Sequence, residues 1–227
     1  MVFGLTHSIL KARGKKNAII AEIKVYSPKD GDLLRGRDPI EILRDYHRAG
    51  AVGISYITER KYFRGDFKLF REICEESSLP VLRKDFIVNK EEIERTAEVG
   101  ASAVLLIARK LKTKLPEFAD VAREHGLEPL IEIHELNELR YIESLNHGVI
   151  GINNRDIGKL EIDGGNVEIT EKIAPFLPKR FLKISESGIR NIEDLKRALL
   201  YTDAALIGTA LMLSSNPGEK LKEFVEV

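Results

Sequence analysis

The chain has one cysteine, two methionines, no tryptophan and no net charge across 227 residues. A lone thiol, Cys74, cannot close an intrachain disulfide, which excludes a disulfide-stapled scaffold and points to a reducing compartment, the cytoplasm. Its setting in LFREICEE places it on an amphipathic helix as a small core residue. With 36 basic against 36 acidic residues, the chain has no overall attraction for nucleic acid or an anionic membrane surface. No stretch approaches the roughly 18 apolar residues of a membrane span, and MVFGLTHSILKARGKK lacks the apolar run of a signal peptide. There is no GxxxxGKS/T loop, no GxSxG elbow and no Gly-rich dinucleotide turn after the first apolar run, which removes nucleotide hydrolysis and serine-hydrolase chemistry. The five histidines fit no zinc-protease or zinc-finger spacing. His134 reads as an internal or rim histidine, and neither metal nor cofactor is expected.

Against these absences stand 43% hydrophobic and 32% charged residues. That balance suits a neutral small-molecule enzyme with a sizeable core, and its Lys/Glu-rich faces suit ion-pair networks of the heat-adapted kind. Eight short apolar runs are bounded by turn signals: AIIAEIK, VGISYIT, PVLRKD, AVLLIA, PLIEIH, VIGINN, FLKISE and AALIGT. Nearly all are apolar on both faces, as parallel strands covered by helices must be. Between them lie amphipathic segments, among them PIEILRDYHRAG, FKLFREICEES, KEEIERTAEVG, ELNELRYIESLN, NVEITEKIAPFL and NIEDLKRALLY, with PGEKLKEFVEV after the last run. Asp38 before Pro39 suits a helix start, Asn137 and Asn191 are candidate caps, and Gly50, Gly100 and Gly126 suit helix ends. Eight strand–helix units of about 25 residues predict an α/β fold, the (β/α)8 barrel, as one domain over residues 1–227 with a short N-terminal arm or helix in THSILKAR. An open doubly wound sheet is the alternative, disfavoured by the missing Gly-rich turn.

In such a barrel, polar residues late in a strand face the active site. Glu22, Lys24, Lys84, Glu132, Asn153 and Glu186 are all late, on the first, third, fifth, sixth and seventh runs. They are either a plug of ion pairs or a chemical site, and six on one rim favour the site. SESGI and LIGTALM follow the seventh and eighth runs. Gly188 and Gly208 there allow close backbone approach to a phosphate, with Ser187 and Thr209 as hydroxyl donors, although each stretch alone also reads as an ordinary turn. Arg155 either grips a carboxylate or pairs with Asp156 or another rim acid. Tyr62, Phe63 and Phe67 in YFRGDF either wall a flat hydrophobic ligand or simply pack.

These residues resemble indole-3-glycerol phosphate synthase, the enzyme that closes the indole pyrrole ring in tryptophan biosynthesis. The resemblance lies in IIAEIKVYSP (19–28), PVLRKDFIV (80–88), LIEIHELNEL (130–139), IGINNRDI (150–157), KISESGI (183–189) and ALIGTALM (205–212), in family order over nearly the whole chain. It implies a carboxy-lyase that converts 1-(2-carboxyphenylamino)-1-deoxyribulose 5-phosphate to indole-3-glycerol phosphate with loss of carbon dioxide and water. It implies Lys84 as general acid at the ketone, Glu132 as general base in dehydration, and Lys24 as a substrate contact and second acid. Glu22 and Asn153 would polarise and position their neighbours, with Ser187 beside them in the catalytic set. Ser27, Phe63, Phe86, Arg155 and Glu186 would line the substrate. Lys24, Gly188, Gly208 and Thr209 would hold the phosphate.

A partly desolvated Glu132 would be a strengthened base, and Lys84 can act only while protonated. The partner expected is thus a small sugar-phosphate substrate, with no nucleic acid or membrane, and a monomer. The sequence departs from the family in three places: only about 17 residues precede the first strand, where the family usually has a longer extension that helps cover the mouth; Asp66 stands where the family commonly has serine; and VYSPKD has unusual neighbours around its Ser-Pro. A sugar-phosphate isomerase such as phosphoribosylanthranilate isomerase, or a non-catalytic phosphate-binding barrel, are the competing functions.

Overall fold

The structure is a computed structural model in which residues 4–146, 148–155 and 166–227 are described. All eight predicted runs form strands: Ile19–Ile23, Gly53–Ile57, Val81–Lys84, Ala103–Ile107, Glu128–Ile133, Gly148–Asn153, Phe181–Glu186 and Ala204–Ile207. They are called the first to eighth strands below. Each is parallel to its neighbours, and the first pairs with both the second and the eighth, so the sheet closes into a barrel.

Alternation along each strand divides two cores. Ile20, Leu82, Leu105, Leu130, Val149, Ile184 and Leu206 meet in one cluster inside the barrel. Their neighbours in sequence point out: Ile19, Ala21 and Val81 pack with Tyr46, Phe70 and Phe224, while Val104, Leu106, Ile131 and Ile150 pack with Phe118 and Phe181. A step of two keeps a side chain on the same face. Two residues beyond the inward Ile20, Leu82, Leu130 and Ile184 stand Glu22, Lys84, Glu132 and Glu186. The barrel interior is therefore an apolar layer followed by a charged one.

Helix starts carry the expected chemistry. Asp38 and Asn191 accept hydrogen bonds from the Ile40 and Asp194 N–H groups, and Gly50, Gly100 and Gly126 have φ of +89°, +78° and +78° after their helices. Two segments differ from expectation. ELNELRYIESLN forms a 3-10 helix, Leu136–Tyr141, with no side-chain cap. Asn137 does not cap it; its amide donates to Glu135, while Glu138 is drawn inward, buried at 3% exposure. NVEITEKIAPFL is α-helical only over Glu168–Ile173 and tightens to a 3-10 turn at Ala174–Phe176. Pro175 accounts for this, since it lacks an N–H and crowds the preceding turn.

The predicted N-terminal helix, Leu5–Ala12, lies at the end of the barrel opposite the charged layer. Leu5, Ile9 and Ala12 join the inner cluster, and the Thr6 N–H donates to Glu128 at the start of the fifth strand at 2.8 Å. A Cβ on Gly53 would lie 2.7 Å from Leu5 Cδ1, so the second strand begins with the one residue that admits this plug. This helix closes the floor, not the mouth.

Candidate active site

Lys84 is the centre of the charged layer. Its Nζ lies 3.3 Å from Glu132 Oε2 and 3.3 Å from Glu186 Oε2. Asn153 Nδ2 donates to the same Glu132 oxygen at 3.0 Å. On the far side of the mouth, Lys24 Nζ lies 3.9 Å from Glu22 Oε1 and donates to Thr209 Oγ1 at 2.9 Å. Glu22, Lys24, Glu132 and Glu186 are all buried, and Lys84 keeps 14% of its side chain exposed. Chain segments up to 185 residues apart thus meet at one rim.

Burial penalises each of these charges, so the pairing decides which survive. Burial opposes the Lys84 charge, but Glu132, Glu186 and Glu22 outweigh it and hold the ammonium protonated far into base. Burial likewise opposes ionised Glu132, and Lys84, His134 and Asn153 overcome it, holding the carboxyl well below its ordinary range. Glu186 goes the other way. Burial raises it, and despite Lys84 the Glu132 charge helps to carry it to about 8. The expectation of a Glu132 strengthened by desolvation is therefore corrected: in the resting site its ion pair with Lys84 makes it a weak base.

Two joined cavities open over this rim. Ile57, Phe63, Phe86, Leu105 and Ile107 wall the first, above Lys84, Glu132 and Asn153. Lys24, Gly188, Gly208 and Thr209 line the second. Glu22, Arg155 and Ser187 line both. The arrangement fits an elongated ligand with a flat apolar end, an anionic end and its reactive middle over Lys84. The glycines are required sterically: Gly188 has φ of +75°, and a Cβ on it would lie 2.8 Å from the Asn166 carbonyl oxygen. A Cβ on Gly208 would lie 2.3 Å from Glu22 Oε1. Ser187 adopts φ of +64° without being glycine, and Asn154 Nδ2 secures its carbonyl at 3.1 Å.

Not every predicted site residue lines a cavity. Glu186 lies beneath the floor, where it contacts Lys84 and not the open space. The Ser27 hydroxyl turns into its own loop, accepting from the Lys29 and Asp30 N–H groups at 3.3 Å each, and it is Lys29 and Asp30 that reach the second cavity. Phe67 packs on Phe70, with centroids 5.7 Å apart. Asp66 accepts from the Lys68 N–H as the cap of helix Phe67–Glu76, a role serine also fills. Arg155 donates its N–H to Asn153 Oδ1 at 3.0 Å; the anticipated partner Asp156 lies outside the described residues.

Four polar residues went unforeseen. Arg83, next to Lys84, points outward, and its guanidinium donates to Thr58, Thr96, Asp85 and Glu92. Asn154, next to Asn153, donates to Ser185 Oγ and the Glu186 and Ser187 carbonyls and accepts from Thr170. Glu59 and Asp85 line the first cavity, and Glu59 accepts the N–H groups of Lys61, Tyr62 and Phe63, which fixes the Phe63 wall. The signal was present in RKD and NN: adjacent polar residues on a strand must face opposite ways, so one of each pair needs a partner outside the barrel. Among the described residues, no group of three or more His, Cys, Asp or Glu is arranged to hold a metal ion.

A family model described as indole-3-glycerol phosphate synthase matches residues 4–224. The chain is 66% identical over 227 residues to the indole-3-glycerol phosphate synthase of Thermococcus kodakarensis, covering 100% of this chain and 99% of that protein. It is also 66% identical over 226 residues to that of Pyrococcus furiosus, covering 100% and 98%. Among solved structures, tryptophan synthase subunit alpha of Legionella pneumophila aligns with a TM-score of 0.67 at 12% identity, covering 96% of this chain and 94% of that one, a likeness of fold.

Proposed function

The chain belongs to the indole-3-glycerol phosphate synthase family, and from that premise we propose that its barrel mouth closes the indole ring of indole-3-glycerol phosphate, with Lys84 as general acid and Glu132 as general base. The substrate is 1-(2-carboxyphenylamino)-1-deoxyribulose 5-phosphate, and carbon dioxide and water leave. The observation that carries these roles is the Lys84–Glu132 pair, 3.3 Å apart on the floor between an apolar and a glycine-lined cavity.

The phosphate is proposed to bind at Lys24, Gly188, Gly208 and Thr209, and the carboxyphenyl ring between Phe63 and Phe86, with Arg155 between the two ends. Holding both ends brings the ring carbon and the ketone carbon together, so the bond-forming step needs no further search. As that bond forms, the ketone oxygen gains charge, and the Lys84 ammonium donates a proton to it. Carbon dioxide then departs, returning its bonding electrons to the benzene ring. Loss of water removes the new hydroxyl, with Lys24 as the second acid, and a proton from the adjoining carbon, which Glu132 takes.

The resting weakness of Glu132 fits this order. At 3.3 Å and an effective dielectric of about 20, the Lys84 charge stabilises ionised Glu132 by roughly 5 kcal/mol. Once Lys84 has given its proton away, that stabilisation disappears, and Glu132 becomes a stronger base for the step that follows. Glu22, Asn153 and Ser187 hold these groups in place, and Glu186 supports Lys84 from below.

No helix among the described residues is long and apolar enough to cross a membrane, and the proposal is of a cytoplasmic monomer. The test is turnover followed by indole fluorescence. Lys84→Ala and Glu132→Gln should each lower kcat by at least about a thousandfold, with phosphate-end binding retained. Near-parent rates in both variants would remove the assigned acid and base, and turnover of phosphoribosylanthranilate without an indole product would favour an isomerase.

A further inference from the structure

His134 lines neither cavity, yet its ring is set between two carboxylates. Its Nε2 lies 3.3 Å from Glu132 Oε1 and its Nδ1 lies 3.8 Å from Glu138 Oε2, and the side chains of His134, Glu132 and Glu138 are 2%, 2% and 4% exposed. Neither ring nitrogen meets hydrogen-bond geometry with any partner, so the two carboxylates face the ring as ion-pair contacts. A neutral imidazole has one bare nitrogen, an acceptor, and either tautomer would turn it toward an oxygen that also only accepts. The imidazolium alone suits both neighbours.

Glu138 is held in turn. Its Oε1 accepts from Arg109 Nε at 2.9 Å, and its Oε2 accepts from the His134 backbone N–H at 3.2 Å. The two oxygens of Glu132 thus have separate partners. Oε2 takes Lys84 and Asn153, both cavity residues, while Oε1 takes His134 on the closed side.

We infer that His134 is a positioning residue for Glu132: a buried cation, fixed by Glu138 and Arg109, that occupies Oε1 and leaves Oε2 facing the substrate. The inference rests on Glu132 being the base. The charged groups around the ring are Glu132 on its own strand, Glu138 on the turn after it, Arg109 on the turn after the fourth strand, which also pairs with Glu135, and Lys84 beyond Glu132 on the third. Burial opposes the imidazolium and so does Arg109, but Glu132 and Glu138 prevail and carry the ring to about 9.

Two measurements test this. In the parent protein, 15N NMR of labelled histidine should find His134 doubly protonated at about pH 8, above the ordinary range of histidine. In steady-state assays, His134→Gln retains a donor near the Nε2 position without the charge. It should lower kcat about three- to tenfold with KM little changed, and its kcat should begin to fall at a higher pH on the acid side than the parent's, because Glu132 loses a neighbouring cation. His134→Ala, which also frees the carboxylate to turn, should lose about a hundredfold. A purely structural histidine would lower the melting temperature and leave the pH profile in place. A neutral ring at pH 7, or a His134→Gln profile superimposable on the parent's while Glu132→Gln is inactive, overturns the inference. If Glu132→Gln itself keeps parent activity, the assignment of the base fails first and this inference falls with it. The parent NMR measurement decides the charge even if the variants do not fold.

Discussion

Replacing Glu186 by glutamine tests how the rim shares its charge. Glu132 and Glu186 each approach Lys84 Nζ to 3.3 Å, and one ammonium cannot balance two carboxylates that are shielded from water. Burial lifts Glu186 to about 8 against the pull of Lys84, while Lys84, His134 and Asn153 hold Glu132 down despite its own burial. Glu186 is therefore the protonated member of the pair at pH 7. A carboxyl whose pKa rises on folding contributes stability that is complete below its unfolded value and is lost as pH rises through the folded one. The window here runs from 4.5 to about 8.

At pH 7 the unfolded chain has released this proton and the folded chain has not, which lowers stability by on the order of 3 kcal/mol. Glutamine is permanently neutral and nearly the same shape, so Glu186→Gln escapes that loss. At about 2–4 °C per kcal/mol for a chain of this size, its melting temperature should exceed the parent's by roughly 6–12 °C at pH 7, and the gap should close toward about pH 4.5. Its kcat near pH 7 should stay within about threefold of the parent's, since the Lys84–Glu132 pair is intact. Thermal unfolding followed by circular dichroism from about pH 4.5 to 8.5, with kcat measured alongside, provides both readings. A Glu186→Gln protein that is less stable throughout and has lost activity, beside a Glu132→Gln protein that keeps it, would mean that Glu186 carries the charge and would refute the reasoning.

At the floor of the barrel, Leu5→Ala leaves a void among the inward residues of the strands. It should cost about 2–5 kcal/mol, read as a melting temperature lowered by roughly 4–20 °C, with kcat at 25 °C unchanged. Asp66→Ser should match the parent in stability and in kcat/KM, whereas Asp66→Ala should lose about 1 kcal/mol of stability through its cap alone. A changed KM in Asp66→Ser would instead show that the residue touches substrate. Gly208→Ala drives a methyl group against Glu22, and the substrate KM should rise as the melting temperature falls by several degrees.

What could be read from the sequence divides along physical lines. The eight strands were legible because each is apolar on both faces, and the rim was legible because Glu22, Lys84 and Glu132 interrupt runs in which a charge is costly. Both signals are local. The misreadings concern relations between distant elements. Nothing in KISESGI says that the Glu186 carboxyl ends under Lys84 and not in the cavity, and nothing in YSPKD says that the Ser27 hydroxyl turns back on its own loop. The weak basicity of resting Glu132 has the same origin, since the two effects of burial and pairing oppose each other and the winner depends on a distance of 3.3 Å to another strand.

One non-local relation did leave a mark in the sequence. Gly151 interrupts VIGIN in mid-strand, where glycine has no turn to make, and a Cβ there would lie 1.8 Å from Glu186 Oε1 on the neighbouring seventh strand. Gly208 bears the same relation to Glu22, across the seam between the eighth strand and the first. Each of these two buried carboxyls occupies space left by a missing side chain, at Gly151 within the adjacent strand and at Gly208 one residue past the end of the eighth, as expected when a glycine marks close approach by a neighbour. A barrel interior is filled in layers, so a long acid can enter a layer only where another position is vacated. Gly151→Ala should therefore behave as a perturbation of Glu186, and its stability loss should shrink when the acid is shortened to alanine in the same chain. Additive losses in that double-mutant cycle would show that the glycine serves the backbone and not the carboxyl.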